Sequence, residues 1–417
     1  MIKFSVLAGF ASFFSIFVIG DAAAQVSTQV PGTRHHVLPA DMPLPFATPS
    51  SANPSRSVPI EPGKTPVVLS GYKVNLFSDR PRHARWMTVA PSGEVFLAET
   101  GAGRISVLAD KDGDGVAEQY SVFAEDHSRP HGLAVVGDHL YVADTSRVWR
   151  YDWRAGQTQA SGMPEAVTKR GELGSGFGHS TRTLLFDADA SHFYVAIGSF
   201  ANVARENAPR ATVMRFKADG TEAEVFSSGL RNPVGLAAHP ITGALVTVVN
   251  ERDGMGDELV PDYLAVLKEG GFYGWPYAYI GSNPMPGFAE SRLDLVERAI
   301  VPDVLFRSHT APLGLVFGAG GQFPESWQDD AFVALHGSWN ADKPRGYKVV
   351  RVPFEDGQPL GWYEDFVVGF WVGYGDGGPF DRGAKVIGRP AGLAIAHDGS
   401  LLIADDVANV IWRVSRQ

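Results

Sequence analysis

From Arg85 onward, apolar runs of about four to six residues alternate with glycine-bearing turns, and one phrase returns six times. It begins with a basic residue, enters a short apolar strand often spelled Gly-Leu-Ala, turns at Asp-Gly or Ser-Gly, and rises into a second apolar strand. The copies start at Arg85-Trp86-Met87, Arg129-Pro130-His131-Gly132, His179 ahead of Leu184-Leu185-Phe186, Arg231-Asn232-Pro233-Val234-Gly235, His309-Thr310-Ala311-Pro312-Leu313-Gly314 and Arg389-Pro390-Ala391-Gly392. Runs this short lack the periodicity of an amphipathic helix and predict strands. Repetition at roughly 45 to 80 residues leaves room for four short strands per copy, which suits propeller blades better than the shorter repeats of a solenoid. The pattern therefore predicts an all-β fold, a six-bladed β-propeller over residues 68–417. Gly71-Tyr72-Lys73-Val74-Asn75-Leu76-Phe77 precedes the first copy and is expected to close the ring as the outer strand of the last blade.

The spacing is uneven. The first four copies lie about 45 to 50 residues apart, whereas the gaps before the fifth and sixth are nearer 80. The surplus falls between Glu251 and Arg307 and between Pro353 and Gly388, which carry Gly270-Gly271-Phe272-Tyr273-Gly274-Trp275-Pro276 and Trp371-Val372-Gly373-Tyr374-Gly375. Long loops on a rigid scaffold tend to be functional, so both are expected to wall a site on one face. Ahead of the repeats the pattern changes twice. Lys3, the apolar run Phe4 to Gly20 and Ala22-Ala23-Ala24 read as a secretory signal peptide over residues 1–24, which implies a periplasmic or secreted product with no membrane span in the mature chain. Residues 25–67 are rich in proline, which forbids helix or central strand and predicts an extended, partly ordered arm, in its plainest role a spacer, with His35 and His36 in solvent.

Composition then narrows the chemistry. The 417 residues include 46 acidic and 36 basic side chains, for a formal net charge of −10, and no cysteine. Disulfides, cysteine zinc sites, iron–sulfur clusters, covalently attached c-type haem and a cysteine nucleophile are excluded. The acidic balance argues against nucleic acid and anionic lipid as partners and favours small or neutral ones. Yet a basic residue stands just ahead of every first strand: Arg85, Arg129 or His131, His179 or Arg182, Arg231, His309 and Arg389. Innermost strands of a propeller surround one channel, so these residues form a ring whose focused field suits a polyanionic ligand. Asn250 to Glu258 gathers carboxylates and an amide beside two glycines, a set suited to a hard cation such as Ca²⁺. Asp110 to Glu118 has the alternating acids of a calcium loop, but Ser121 stands where an EF-hand needs glutamate; a structural calcium turn and a plain hairpin loop both stay open.

Gly178-His179-Ser180-Thr181-Arg182-Thr183-Leu184, Leu230-Arg231-Asn232-Pro233-Val234-Gly235-Leu236, Asn250 to Glu258 and Gly270 to Pro276, in that order, resemble the glucose/sorbosone dehydrogenase family, nearest its sorbosone dehydrogenase branch. The resemblance covers about Gly71 to Arg416. It implies a propeller that binds pyrroloquinoline quinone (PQQ) and Ca²⁺ and oxidises sugars or sugar-derived alcohols and aldehydes. It implies His179 as general base, Arg231 and Asn232 on the quinone oxygens, and Arg389 on a cofactor carboxylate. Main-chain carbonyls of Arg252 and Asp253 would hold the calcium, with Glu251, Asp257 and Glu258 assisting. Lys343 is the nearest counterpart of a family lysine, with Arg345 as its substitute. Arg85 and His131 from the basic ring and Trp339 complete the cofactor-binding set.

Two departures bear on mechanism. Ile197-Gly198 is followed by Ser199 where soluble glucose dehydrogenases place an acid that orients the base, and Arg252-Asp253 replaces Gly-Pro. Both count against glucose as substrate and leave His336 as a rival base. The expected partners are a small-molecule sugar and, since no cysteine in this chain can anchor a haem, a separate electron acceptor of cytochrome or quinone type. A calcium-dependent sugar lactonase and a non-catalytic binding propeller are the alternative functions.

Overall fold

The computed structural model of the chain describes residue 1 and residues 29–375 and 383–417. The expected signal peptide lies outside the described residues, as does the stretch 376–382 of the second long loop.

Strand-length apolar runs need partners for their backbone groups and cover for both faces, and a ring of radial sheets supplies both. Six blades form, each built on four antiparallel strands, with innermost strands Ala84–Val89, Gly132–Val136, Arg182–Phe186, Pro233–Ala238, Pro312–Phe317 and Pro390–Ile395. The first blade runs outward through Val95–Glu99 and Arg104–Ala109 to Gln119–Ala124. Each innermost strand packs against those of the two neighbouring blades, the sixth returning to the first. The ring is sealed by Tyr72–Ser78, which pairs antiparallel with Val410–Arg416 as the outermost strand of blade six, as the sequence pattern predicts.

Successive side chains of a strand point to opposite faces. In blade one, Phe96 therefore packs toward blade two with Leu133 and Leu140, while Leu97 packs toward blade six with Leu402 and Ile411. Middle strands buried on both faces read as continuous apolar runs rather than alternating ones. Each large side chain so buried contributes roughly 1.5–3 kcal/mol. The recurring glycine of the phrase marks the closest approach between blades: a Cβ on Gly132 would lie 2.2 Å from Arg182 O, and one on Gly314 would lie 2.3 Å from Ala391 O. Any larger residue there would push two blades apart.

The arm is extended, and it is docked against the blades rather than serving as a spacer alone. Arg34–His35 and Val67–Val68 both pair with Tyr363–Val368, the outermost strand of blade five, and Arg56–Ser57 runs parallel to Lys385–Val386. Edge positions of this kind tolerate proline because one side of the strand need not donate. His35 is drawn out of solvent: its Nε2 lies 2.9 Å from Asp365 Oδ1 and 3.2 Å from Lys348 Nζ, while His36 is exposed. The first long loop divides: Glu251, Asp253 and Asp262 line a cavity, whereas its aromatic part does not. Tyr273 and Trp275 are buried, and Gly271–Phe272 adds a parallel strand to the edge of blade three at Ser227–Ser228, so this segment supports the blades from behind rather than walling the mouth. Among the described residues no helix is long and apolar enough to cross a membrane.

Candidate active site

Because every innermost strand starts at the same end of the channel, the residues just ahead of them converge. Arg85, His179, Arg231, Asn232, His309 and Arg389, contributed by five of the six blades, line one cavity of about 360 Å³. Trp339 stands on its rim, 51% exposed. Two members of the expected cofactor set lie elsewhere. His131 is 1% exposed, its ring 4.9 Å from that of Trp86 and both ring nitrogens without a partner; it lies outside the cavity lining, and burial holds its pKa well below the usual value. Lys343 is exposed on a turn away from the cavity, because the loop bends inward only from Pro344. Arg345 cannot stand in for it, being buried in ion pairs with Asp257 and Glu258.

Arg85 is paired with Asp406, whereas Arg231 and Arg389 are held mainly by neutral oxygens. Arg231 donates from Nε to Asn202 O at 3.0 Å, from Nη1 to Glu251 O at 2.8 Å and from Nη2 to Asn202 Oδ1 at 3.0 Å; its nearest carboxylate oxygen, Asp253 Oδ2, is 3.6 Å away. Arg389 donates from Nε to His336 O at 2.9 Å and from Nη2 to Gly337 O. Main-chain dipoles fix both guanidiniums without neutralising them.

That charge sets the state of the histidines. His179 Nδ1 lies 2.8 Å from Ser199 O and 3.1 Å from Ser199 Oγ. A carbonyl only accepts, so Nδ1 carries the proton and Nε2 presents a free lone pair. Burial, followed by the Arg231 guanidinium, holds its pKa down at about 4, so the ring is neutral near pH 7. The carbonyl of Ser199 thus orients the imidazole where an acid side chain is missing. His336 is fixed differently: its Nε2 donates to Asp406 Oδ1 at 2.8 Å, and Asp406 also pairs with Arg85. Burial and Arg389 bring its pKa to about 4, while His336 and Arg85 keep the Asp406 carboxyl well below the usual range despite burial.

The expected metal segment divides. Glu251 and Asp253 reach the cavity; Arg252 and Asp257 do not. Glu251 is buried, and burial pushes its pKa up to about 7. Asp253 Oδ1 accepts from Asn340 Nδ2 at 2.7 Å. Asp257 Oδ1 accepts from Asp342 N at 2.6 Å and its other oxygen pairs with Arg345, so this carboxylate ties two loops together rather than facing a ligand. Arg252 turns its guanidinium toward Asp253 O at 3.1 Å and Met285 Sδ at 3.4 Å. The side chains of this segment therefore do not form a calcium cage. Among the described residues, the group of three or more metal-capable side chains that converges is Asp110, Asp112, Asp114 and Glu118, within 4.8 Å of one another on an exposed turn remote from the cavity lining.

An acidic, carbonyl-bearing ligand such as PQQ fits the rest of the set. Three guanidiniums face one cavity and can donate to the oxygens of such a ligand, and Asn232 Oδ1, buried without a partner, is left to accept from a ligand N–H or O–H. Asn202, Asn340 and Asp406 were not foreseen from the sequence. Asn202 binds Arg231 and receives Asp253 N at 2.9 Å, and Trp275 Nε1 donates to its carbonyl at 3.1 Å. Asp406 had a usable signal: Asn250, His336 and Asp406 all follow the second strand of their blades, a position as periodic as the basic ring.

A family model described as TrAA12-like matches residues 66–261 and 295–417. A pyrroloquinoline quinone-dependent pyranose dehydrogenase of Coprinopsis cinerea is 25% identical over 414 residues, covering 84% of this chain and 54% of its own length. An uncharacterized protein of Borreliella burgdorferi is 30% identical over 239 residues, 57% of this chain and 60% of its own. The chain thus spans little more than half the length of these curated relatives. Among solved structures, the holo PQQ domain of the C. cinerea pyranose dehydrogenase matches with a TM-score of 0.71 at 21% identity, covering 86% of this chain and 100% of that one. A calcium structure of Trichoderma reesei family AA12 matches with a TM-score of 0.69 at 19% identity, covering 84% and 97%. At these identities the solved structures speak to the fold, which is that of this propeller.

Proposed function

Because the chain belongs to the TrAA12-like family, we propose that it is a quinoprotein dehydrogenase that oxidises a sugar, or a sugar-derived alcohol or aldehyde, with PQQ as its resident acceptor. The observation that carries the reading is the convergence of Arg85, Arg231 and Arg389 on one cavity beside an imidazole whose Nε2 is free. Arg389 and Arg85, with His336 between them, would hold a carboxylate-bearing edge of the cofactor, and Arg231 and Asn232 its carbonyl oxygens. When bound, the quinone supplies a two-electron sink for the hydrogen leaving the substrate carbon.

The chain's own residues do the proton chemistry. His179 takes the proton of the substrate hydroxyl at Nε2, because Nδ1–H is committed to Ser199 O. Burial, and after it the Arg231 guanidinium, keep the ring neutral beforehand and drive the proton off afterwards, since a buried imidazolium beside that charge is unfavourable. The donors of Arg231 are locked to Asn202 and Glu251 and cannot swing away as charge develops near them. Trp339 narrows the entrance. Electrons leave to a separate cytochrome- or quinone-type acceptor.

A substrate of the sorbosone type rests on the sequence motifs, and the C. cinerea relative, described as a pyranose dehydrogenase, favours a pyranose. Calcium dependence rests on those motifs and on the T. reesei relative solved as a calcium structure; no step above passes through a metal. Export rests on the signal-peptide pattern. The test is reconstitution: purified protein with PQQ, with and without Ca²⁺, against a panel of pyranoses and sorbosone, read by dye reduction. No change in cofactor absorbance and no dye reduction would overturn the proposal, and lactone hydrolysis with Ca²⁺ alone would transfer it to a lactonase.

A further inference from the structure

Before it reaches the first blade, the arm runs between two loops that carry cavity residues. Phe46 N donates to Met255 O at 2.8 Å, Thr48 Oγ1 accepts from Asp257 N at 2.8 Å, and Ser50 Oγ accepts from Gly256 N at 3.2 Å. The packing is close enough that a Cβ on Gly256, whose φ is +118°, would lie 2.9 Å from Thr48 O. Asn53 then clasps the other loop: its N donates to Trp339 O at 2.6 Å, and its Nδ2 to Ala341 O at 3.0 Å and Asp342 O at 3.1 Å.

The two loops so held are the ones that wall the cavity. One carries Glu251 and Asp253, the other Trp339 and Asn340. They are joined to each other through Asn340 Nδ2 to Asp253 Oδ1 and Asp342 N to Asp257 Oδ1, so the arm braces a pair already coupled. The family match begins at residue 66, beyond these contacts. Trp339 is half-exposed, and Asn53 adds three hydrogen bonds to its loop beyond those that Asn340 and Asp342 make to the facing one.

We propose that residues 46–53 are a working part of the site. Asn53 is a positioning residue for Trp339 and Asn340, and Thr48 is one for Gly256, Asp257 and through them Asp253. Together they set the width of the entrance through which the sugar passes. The sugar in this statement rests on the function proposed above, whereas the bracing of the two loops does not.

The experiment compares Asn53→Ala, Thr48→Val and the conservative Thr48→Ser in the full chain. Hydrogen exchange without cofactor should quicken about tenfold or more at residues 339–342 in Asn53→Ala and at Gly256 and Asp257 in Thr48→Val, with the blades unchanged. In the PQQ-loaded protein, the sugar KM should rise about tenfold in Asn53→Ala with kcat within about twofold, and Thr48→Ser should behave as wild type. Unchanged exchange in both loops overturns the proposal, as does an unaltered KM with faster exchange. Faster exchange throughout the blades would mark the arm as a general stabiliser and also overturns it. A wild-type protein that oxidises no sugar refutes the proposed function instead, and the exchange data then decide the bracing alone.

Discussion

His179→Gln isolates the group on which the proposed chemistry turns. A glutamine amide can still donate to Ser199 O, but it offers no lone pair basic enough to accept a proton. A general base contributes about 10²- to 10⁴-fold, so kcat/KM should fall by that order while the cofactor titrates as in wild type. The same substitution has a second signature, in stability. Burial and Arg231 lower the imidazole from its ordinary value near 6.5 to about 4, and at about 1.36 kcal/mol per pH unit that is worth about 3 kcal/mol. Between those two values the unfolded chain binds the proton and the folded protein does not. The contribution is therefore complete above pH 6.5 and is lost as pH falls toward 4.

Glu251, Asp262 and Asp405, each raised to about 7 by burial, run the opposite way: their contribution is present at low pH and is lost as pH rises through 7. The wild-type curve sums both trends, but the difference between wild type and His179→Gln cancels the carboxyls. Urea unfolding of the two proteins from pH 7 to pH 4 should show the variant's deficit shrinking by about 3 kcal/mol. A deficit that does not vary with pH would mean an imidazole open to water, and the electrostatic reasoning would fall. Retained turnover would move the base to His336.

Other outcomes follow from the same contacts. Asp406→Asn removes the charge that faces both Arg85 and His336 in a buried cluster, which should cost about 3–5 kcal/mol in chemical denaturation and weaken PQQ binding in an absorbance titration. Gly314→Ala drives a Cβ against Ala391 O and should cost about 1–3 kcal/mol by urea midpoint, whereas Gly162→Ala, with nothing within 4 Å, should be neutral. Truncation after Asn409 strips the partner from Tyr72–Ser78, and the exposed edge should send the protein into aggregates detectable by light scattering.

The fold was legible because a propeller writes itself into the chain repeatedly. Each blade must bury both faces of its middle strands and must admit its neighbours at a glycine, so the apolar runs and the Gly-Leu-Ala phrase recur wherever those demands recur. The ring of Arg85, His179, Arg231, His309 and Arg389 was legible for the same reason, since equivalent points of a periodic fold share one mouth. His131 sits at such a point too, yet it is sealed beside Trp86, because which way a side chain leaves its strand depends on the neighbouring blade.

Partnership across distance was not legible. Asp257 reads as a metal ligand beside Asp253, but Arg345, 88 residues on, claims it. Asp406 finds His336 across 70 residues, and Thr48 finds Asp257 across 209. The number of blades, the closure of the ring and the place where positive charge collects follow from local periodicity and repetition, and so can be read along the chain. Which of those charges stay open to a ligand and which are spent on a carbonyl or a carboxylate depends on groups that folding alone brings within hydrogen-bonding distance.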